Sequence, residues 1–233
     1  MDEKERRRRL EDWLEVVKSD VQDLLLDEYL FWQLQEVINT NPSFAKASGL
    51  FTQWMASSFI QATAVGVRRQ AKAGADSVSL KRFLHEVRDY PALVSRDRYM
   101  GLYDDSPEWL REIGKQDFDR LANEGSDHLP RALIEEQLAE LDNAVVAIEH
   151  YVDRRIAHYD QRGLARPTPT FADLSDALKT LERLVLFYWV LLRGASMTTL
   201  LPTLQYDWMD IFTFAWAPRD EESVENVKST DSV

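Results

Sequence analysis

Two apolar stripes with the same spacing constrain the fold of this 233-residue chain more than any other feature. In each stripe the apolar residues recur at steps of four and three, which places them along one face of an α-helix. The stripes are Ile134, Leu138, Leu141, Val145, Ile148, Val152, and Leu174, Leu178, Leu181, Val185, Tyr188, Leu192. Gly163 is placed to end the first helix, and Thr170 with Asp173 resembles an N-terminal cap pair. The short connection predicts two antiparallel helices that pack together.

The rest of the chain also favours helix over sheet. Another stripe, at Leu10, Leu14, Val17, Val21 and Leu24, predicts a long first helix. Only 8 glycines and 8 prolines occur, and several of them lie between apolar-periodic segments. The aromatic segment after Gly194 lacks the alternation of a strand. We therefore predict an all-α protein, an antiparallel helical bundle with additional helices and an irregular C-terminal wrap.

The predicted organisation has three parts. Residues 1–43 are expected to form an N-terminal helical extension, which ends where "NTNPS" breaks the helical pattern. Residues 44–218 are expected to form the helical bundle domain. Residues 219–233, "RDEESVENVKSTDSV", are polar and acidic, and we expect this tail to be disordered because it has little apolar surface to bury.

Composition excludes several classes of function. The chain has no cysteine, which removes disulfides and thiolate chemistry and suits a reducing cytoplasm. Its longest apolar run, "LVLFYWVLL", is far shorter than the roughly 20 residues that cross a bilayer, so no membrane association is expected. No histidine has a glutamate three residues before it, so no di-iron site, and no other metal or cofactor, is predicted. The net charge of −12 repels nucleic acid overall, although residues 68–98 are locally basic.

The stretch "YVDRRIAHYD", residues 151–160, concentrates chemistry that the rest of the chain lacks. At 3.6 residues per turn, Tyr151, Arg155 and His158 share a helix face, and Arg154 lies four residues before His158. Arginine can hold a phosphate while histidine moves a proton. The alternative is structural, because helix ends commonly carry Arg and His beside their last carbonyls.

"DRRIAHYD" on a long helix of an all-α chain resembles the signature of the HEPN superfamily, in its AbiU-like, abortive-infection branch. Three further segments agree: "VRRQAKAGADSVSLKRFLHEV" at 67–87, and "PTFADLSDAL" and "LLPTLQYDWMDIF" after the histidine. The resemblance covers most of residues 45–216. It implies a HEPN-like bundle that dimerises with the motif helices facing each other. Many such proteins are metal-independent endoribonucleases that serve as toxins or phage-defence effectors.

The family motif is an arginine, four to six residues and then a histidine, with a polar residue commonly following the arginine. His158 matches the histidine and Asp153 the polar position. The arginine position falls on Val152, or on Asp153 with the shorter spacing. The family mechanism therefore does not transfer whole to this chain. Either Arg154 or Arg155 substitutes from a different turn, or catalysis is lost.

Two functional hypotheses follow from the resemblance. In the first, the chain is a HEPN-type cytoplasmic homodimer of bacterial defence or toxin character that acts on or binds RNA. His158, Arg155 and Arg154 are then the candidate catalytic residues, and Arg68, Arg69, Tyr151 and Asp160 the candidate substrate-binding residues. An antitoxin or regulatory protein is a further expected partner. In the second hypothesis, the chain is a non-catalytic dimeric interaction module.

Overall fold

The computed structural model describes residues 2–41, 49–156 and 169–213, without the side chains of Arg155 and Thr213. Seven α-helices lie in these ranges, and no strand does. They are α1 (Glu3–Thr40), α2 (Gly49–Ala71), α3 (Leu80–Asp89), α4 (Arg96–Gly101), α5 (Glu108–Ala122), α6 (Arg131–Tyr151) and α7 (Phe171–Arg193). Short 3-10 helices span Pro91–Val94 and Trp208–Thr213. The all-α prediction is confirmed.

Residues Met1–Leu201 form one compact unit. Within it, α6 and α7 run antiparallel, because Gln137 bonds Tyr188 while the later residue Glu140 pairs with the earlier Arg183. The same argument applies to α1 and α7, where Glu15 pairs with Arg193 and Lys18 lies over the ring of Trp189. The long helices thus form an antiparallel bundle, as the paired stripes predicted.

The predicted stripes all belong to the core of this unit, together with residues of the shorter helices. Val152 is 3% exposed, Leu138 is 7% exposed, and the other stripe residues of α6 and α7 are at most 2% exposed. The α1 stripe is equally buried and belongs to the same core cluster. Burying a large apolar side chain contributes roughly 1.5 to 3 kcal/mol, so these helices are held chiefly by packing. The predicted domain boundaries near residues 43 and 218 fall outside the described ranges and stay predictions, as does disorder of the tail.

Local signals set the helix ends. Ser79 accepts a hydrogen bond from the Arg82 amide at the start of α3, and Thr170 with Asp173 forms a reciprocal capping box at α7. Gly194 ends α7 in the left-handed region, with φ of 63°. Pro107 immediately precedes the first residue of α5.

The second unit, Pro202–Val233, is described through Thr213. Residues 202–207 are irregular and lead into the 3-10 helix Trp208–Thr213. The Asp207 side chain accepts from the Met209 amide at 3.0 Å, and the rings of Trp208 and Phe212 meet edge to face. This segment has the irregular, partly helical character that its aromatic sequence indicated.

Candidate functional site

Helix α6 changes its form where the stretch "YVDRRIAHYD" begins. Helix α6 ends at Tyr151, and Val152–Ile156 continues as a π-helix. A π-helix has i→i+5 hydrogen bonds and therefore more residues in each turn than an α-helix. The face shared by Tyr151 and Arg155 was predicted from 3.6 residues per turn, so that geometry does not apply beyond Tyr151. π-Helical turns are rare and are frequently found at functional sites.

The structure places only some of the candidate site residues. Tyr151 is half-buried and packs against the main core, while Arg154 is partly exposed and has no ion pair among the described residues. Of Arg155 the backbone is described, within the π-helix. His158 and Asp160 lie outside the described residues. The spatial relation between the histidine and the arginines therefore stays a prediction.

Arg68 is brought directly to the motif. Its guanidinium, near the end of α2, forms an ion pair with the Asp153 carboxylate in the π-helix. A second pair lies beside it, where the Lys72 ammonium is 3.1 Å from the Glu149 carboxylate. Arg68 and Lys72 are four residues apart, as are Asp153 and Glu149, so the two pairs form a ladder between antiparallel segments. We call these four residues the ion-pair ladder.

Arg69 points elsewhere. It forms an ion pair with Asp20 of α1, and the Arg69 Nε is 3.1 Å from a carboxylate oxygen of Asp20. The neighbouring Gln70 also donates to Asp20 and accepts from the Leu80 amide at 2.9 Å. Consecutive helical residues face different directions, so Arg68 meets the motif helix while Arg69 joins α2 to α1. The structure does not bring the two arginines together.

Each cation of the basic stretch 68–98 has a partner within the protein. Seven of its eight cations meet carboxylates, in the pairs Arg68–Asp153, Arg69–Asp20, Lys72–Glu149, Lys81–Asp142, Arg88–Asp89, Arg96–Asp119 and Arg98–Glu3. The eighth, Arg82, donates to two backbone carbonyls and lies over the ring of Trp13. All but Arg88–Asp89 join distant parts of the chain, which helical spacing could not predict. Their charges are therefore largely balanced locally, which weakens attraction to phosphate.

The N-terminal "RRRR" is also used within the protein. Arg6 and Arg9 both bind the Glu86 carboxylate, at 2.8 and 2.6 Å, and Arg6 lies over the Tyr90 ring. Arg7 pairs with Glu11 and donates to the Leu93 carbonyl at 2.8 Å. Arg8 is the exposed member of the run. Arg6 and Arg9 thus join α1 to α3, and Arg7 joins it to the 3-10 helix that follows α3. The sequence did not predict these contacts, because Glu86 is far from the arginines along the chain.

The remaining histidines offer no alternative centre. His128 and His150 are exposed. His85 is half-buried, and burial, followed by the charges of Arg88 and Lys81, lowers the pKa of its ring, while Asp89 and Asp142 oppose this shift. Within the described part of the chain, no group of three or more His, Asp or Glu residues could hold a metal ion.

Comparison with protein families identifies the family of this chain. The family model of the HEPN class whose description is AbiU2 matches residues 10–226, nearly the whole chain. The chain belongs to the AbiU2 family of HEPN proteins. The resemblance stated from the motif is thereby confirmed. Neither the curated proteins nor the solved structures contain a match to this chain.

The structure explains what stands at the motif arginine position of this AbiU2-family protein. Val152, the first candidate position, is 3% exposed and contacts the main core, so its side chain cannot reach a phosphate. Asp153, the second, pairs with Arg68. Neither position therefore supplies a guanidinium from its own side chain. The guanidinium that contacts Asp153 is that of Arg68, on α2.

Among the described residues, no helix combines the length and the apolar composition required to cross a bilayer. The most apolar segment, in α7, instead buries its stripe in the bundle core. A cytoplasmic location stays a prediction.

Proposed function

We propose that this AbiU2-family protein is a HEPN-type effector of bacterial defence or toxin character that acts on or binds RNA. The observation that supports a site at "YVDRRIAHYD" is the change from α-helix to π-helix at Val152–Ile156, just before His158. The change places two arginines, Arg154 and Arg155, in a turn of rare geometry. Arg154 is partly exposed and has no ion pair in the part of the chain that the structure describes. It is therefore available to a phosphate.

The chemistry assigned to these residues is cleavage beside a ribose 2′-hydroxyl. His158 accepts the 2′-hydroxyl proton as the O2′–P bond forms. The imidazolium then returns a proton to the 5′-oxygen as the P–O5′ bond breaks. Arg154 and Arg155 stabilise the charge that develops on the phosphate oxygens. No metal is needed for these steps, because the proton and the charge are both handled by side chains.

The substrate-binding roles belong to the same proposal. Tyr151 packs against the core with part of its surface exposed and would stack on a base, while Asp160 would orient the site. Arg68 and Arg69 would need to exchange their carboxylate partners for phosphate. A homodimer that joins two motif helices, and control by an antitoxin or regulatory protein, complete the proposal.

The decisive experiment compares wild type, His158→Ala and His150→Ala on total cellular RNA in the presence of EDTA. His150 is an exposed histidine on α6, eight residues before His158 in sequence, and serves as the matched control. Circular dichroism and light scattering establish that the three proteins share fold and oligomeric state. Cleavage by wild type and His150→Ala but not by His158→Ala is the expected result. Intact RNA with all three would reject nuclease activity.

RNA binding is tested separately by its dependence on salt. Removal of one cation that binds a phosphate should reduce the slope of log affinity against log salt by about 0.7 for single-stranded RNA. Arg154→Gln should therefore bind RNA more weakly and with a shallower slope than wild type. Arg120→Gln is the control, because Arg120 is an exposed arginine on α5 that pairs with Asp117. Equal slopes for wild type and Arg154→Gln would remove Arg154 from the phosphate site.

The second candidate function is a non-catalytic dimeric interaction module. It is favoured by the burial of Val152, the pairing of Asp153 and the balanced charges of residues 68–98. In this case RNA stays intact with wild type, while light scattering reports a dimer. Substitution of His158 would then leave dimerisation unchanged.

A further inference from the structure

We propose that the ion-pair ladder, Arg68–Asp153 with Lys72–Glu149, holds the π-turn in place and so positions Arg154, Arg155 and the chain leading to His158. For Arg68 this positioning role, shared with Asp153, replaces the phosphate-binding role proposed above. The inference rests on the proposed function for its consequence in RNA cleavage. Its structural part stands on the described residues alone.

The ladder spans the junction between the two helix forms. Glu149 lies in the last turn of α6, and Asp153 is the second residue of the π-helix. Arg68 lies in the last turn of α2, and Lys72 follows its final residue. The Lys72–Glu149 pair therefore holds the chain just before the junction, and the Arg68–Asp153 pair holds it just after. Both pairs join it to the same end of α2. This arrangement fixes where the helix changes form.

Packing on the same side strengthens this link. Val67 and Ala71 of α2 are 0% and 1% exposed, and Val152 is 3% exposed in the same core. Ile156, the last residue of the π-helix, also packs against that core. The π-turn is thus held between an apolar contact and an ion pair. Asp153 is 43% exposed, so its pair with Arg68 lies at the edge of this contact and remains open to solvent ions.

The geometry of Arg68 favours a positioning role. The Arg68 side chain is 33% exposed, and its Nε is buried without a hydrogen-bond partner among the described residues. One of its two terminal nitrogens, Nη2, is paired with Asp153. A guanidinium that binds phosphate in the bidentate manner presents two free N–H groups side by side. Nε is buried and Nη2 is occupied, so the Nε–Nη2 edge of Arg68 is open to phosphate only if Asp153 is displaced.

Loss of the π-turn would change the direction in which its side chains point. In a π-helix the residues per turn exceed those of an α-helix, so return of Val152–Ile156 to α-form would rotate the side chains within it about the helix axis. The Arg154 side chain would then change direction relative to α2. The proposed cleavage needs an arginine and a histidine on the same phosphate, and misplacement by about 1 Å can cost on the order of 100-fold in rate.

The test is a charge reversal with rescue, read first by hydrogen exchange of the amides of residues 149–156. Arg68→Asp and Asp153→Arg should each accelerate exchange there by about 3- to 5-fold, the effect of removing one partly exposed pair. The double variant restores the opposite charges and should return exchange towards the wild-type rate. Arg68→Lys keeps one charge and should lie between wild type and Arg68→Asp.

The matched control is Arg183→Asp. Arg183 of α7 pairs with Glu140 of α6, so this variant removes another interhelical arginine–carboxylate pair, far from the π-turn. It should leave the exchange of residues 149–156 at the wild-type rate. Unchanged exchange in both ladder single variants, or a double variant faster than either single one, would overturn the proposal. These readouts need no RNA, so they remain decisive if wild type proves inactive.

The link to function is measured by RNA cleavage with the same proteins. Both single variants should lower kcat with a smaller change in KM, and the double variant should recover kcat, because positioning depends on the pair rather than on either charge. A defect that appears only in KM with Arg68→Asp, and is not recovered in the double variant, would instead assign Arg68 to phosphate binding and reject the positioning role.

Discussion

The Tyr188 hydroxyl donates a 2.6 Å hydrogen bond to the side-chain oxygen of Gln137, inside the contact between α6 and α7. Tyr188 is 0% exposed and Gln137 4% exposed, so neither polar group has ready access to water. The Tyr188 ring also meets Phe83 of α3 edge to face. This pair therefore fixes the register of the two helices that sequence identified from their stripes, and connects them to α3.

Removing both members of this pair should destabilise the fold by less than the sum of the two single losses. Tyr188→Phe leaves the Gln137 amide buried without its partner, and Gln137→Leu leaves the Tyr188 hydroxyl in the same state. Each should cost about 1 to 3 kcal/mol of unfolding free energy. The combined variant should lose less than the sum of the two, which urea denaturation measures. Strict additivity would mean that the two groups do not interact.

Stability should decline in alkaline solution through the buried tyrosines. Burial raises the pKa of Tyr188, and burial with the hydrogen bond to Tyr103 raises that of Tyr99. The folded state thus favours neutral phenols. Their contribution is fully present below the unfolded pKa of about 10 and is lost as pH rises above it. Urea midpoints of wild type should fall from about pH 9 to about pH 11. The fall should be shallower for Tyr188→Phe, and parallel curves would contradict this cause.

Gly66 marks the closest approach of α2 to α1 among the glycines of the described residues. A Cβ built there would lie 2.4 Å from a methyl carbon of Leu24, which is 4% exposed. Overpacking costs about 1 to 3 kcal/mol, and the helix propensity of alanine returns about 1. Gly66→Ala should therefore lose about 1 kcal/mol in thermal or urea unfolding. Gly49→Ala, with no neighbour within 4 Å, is the control and should not lose stability.

Sequence predicted the fold well because helix periodicity and caps are local signals. The stripes of α1, α6 and α7 and the Thr170–Asp173 box depend on residues that are close to one another in sequence. The ion pairs were not predictable in this way. Glu86 gathers Arg6 and Arg9 from across the fold, and Arg68 reaches Asp153 from another helix.

The site was predicted less completely than the fold. Sequence identified Arg154 and Arg155 but assumed that the α-helix continues through them, whereas the structure has a π-helix at Val152–Ile156. The stripe that ends at Val152 contains no signal for this change. His158 and Asp160 lie outside the described residues. Their roles rest on the motif and the family.

Restoring an arginine at the first motif position should unfold the protein rather than activate it. Val152 is 3% exposed in the core, and a guanidinium there would be buried without a carboxylate partner. Val152→Arg should lose more than about 3 kcal/mol, and Val152→Ala about 2 kcal/mol, in urea unfolding.

The matched control for this substitution is Val146→Arg. Val146 lies on the same helix but is 51% exposed, so its replacement should stay within about 0.5 kcal/mol of wild type. A Val152→Arg protein as stable as Val146→Arg would mean that Val152 does not anchor the motif helix. If that stable protein also cleaved RNA faster than wild type, Val152 would be the position at which the family's arginine acts, and Arg154 and Arg155 would lose their assigned role.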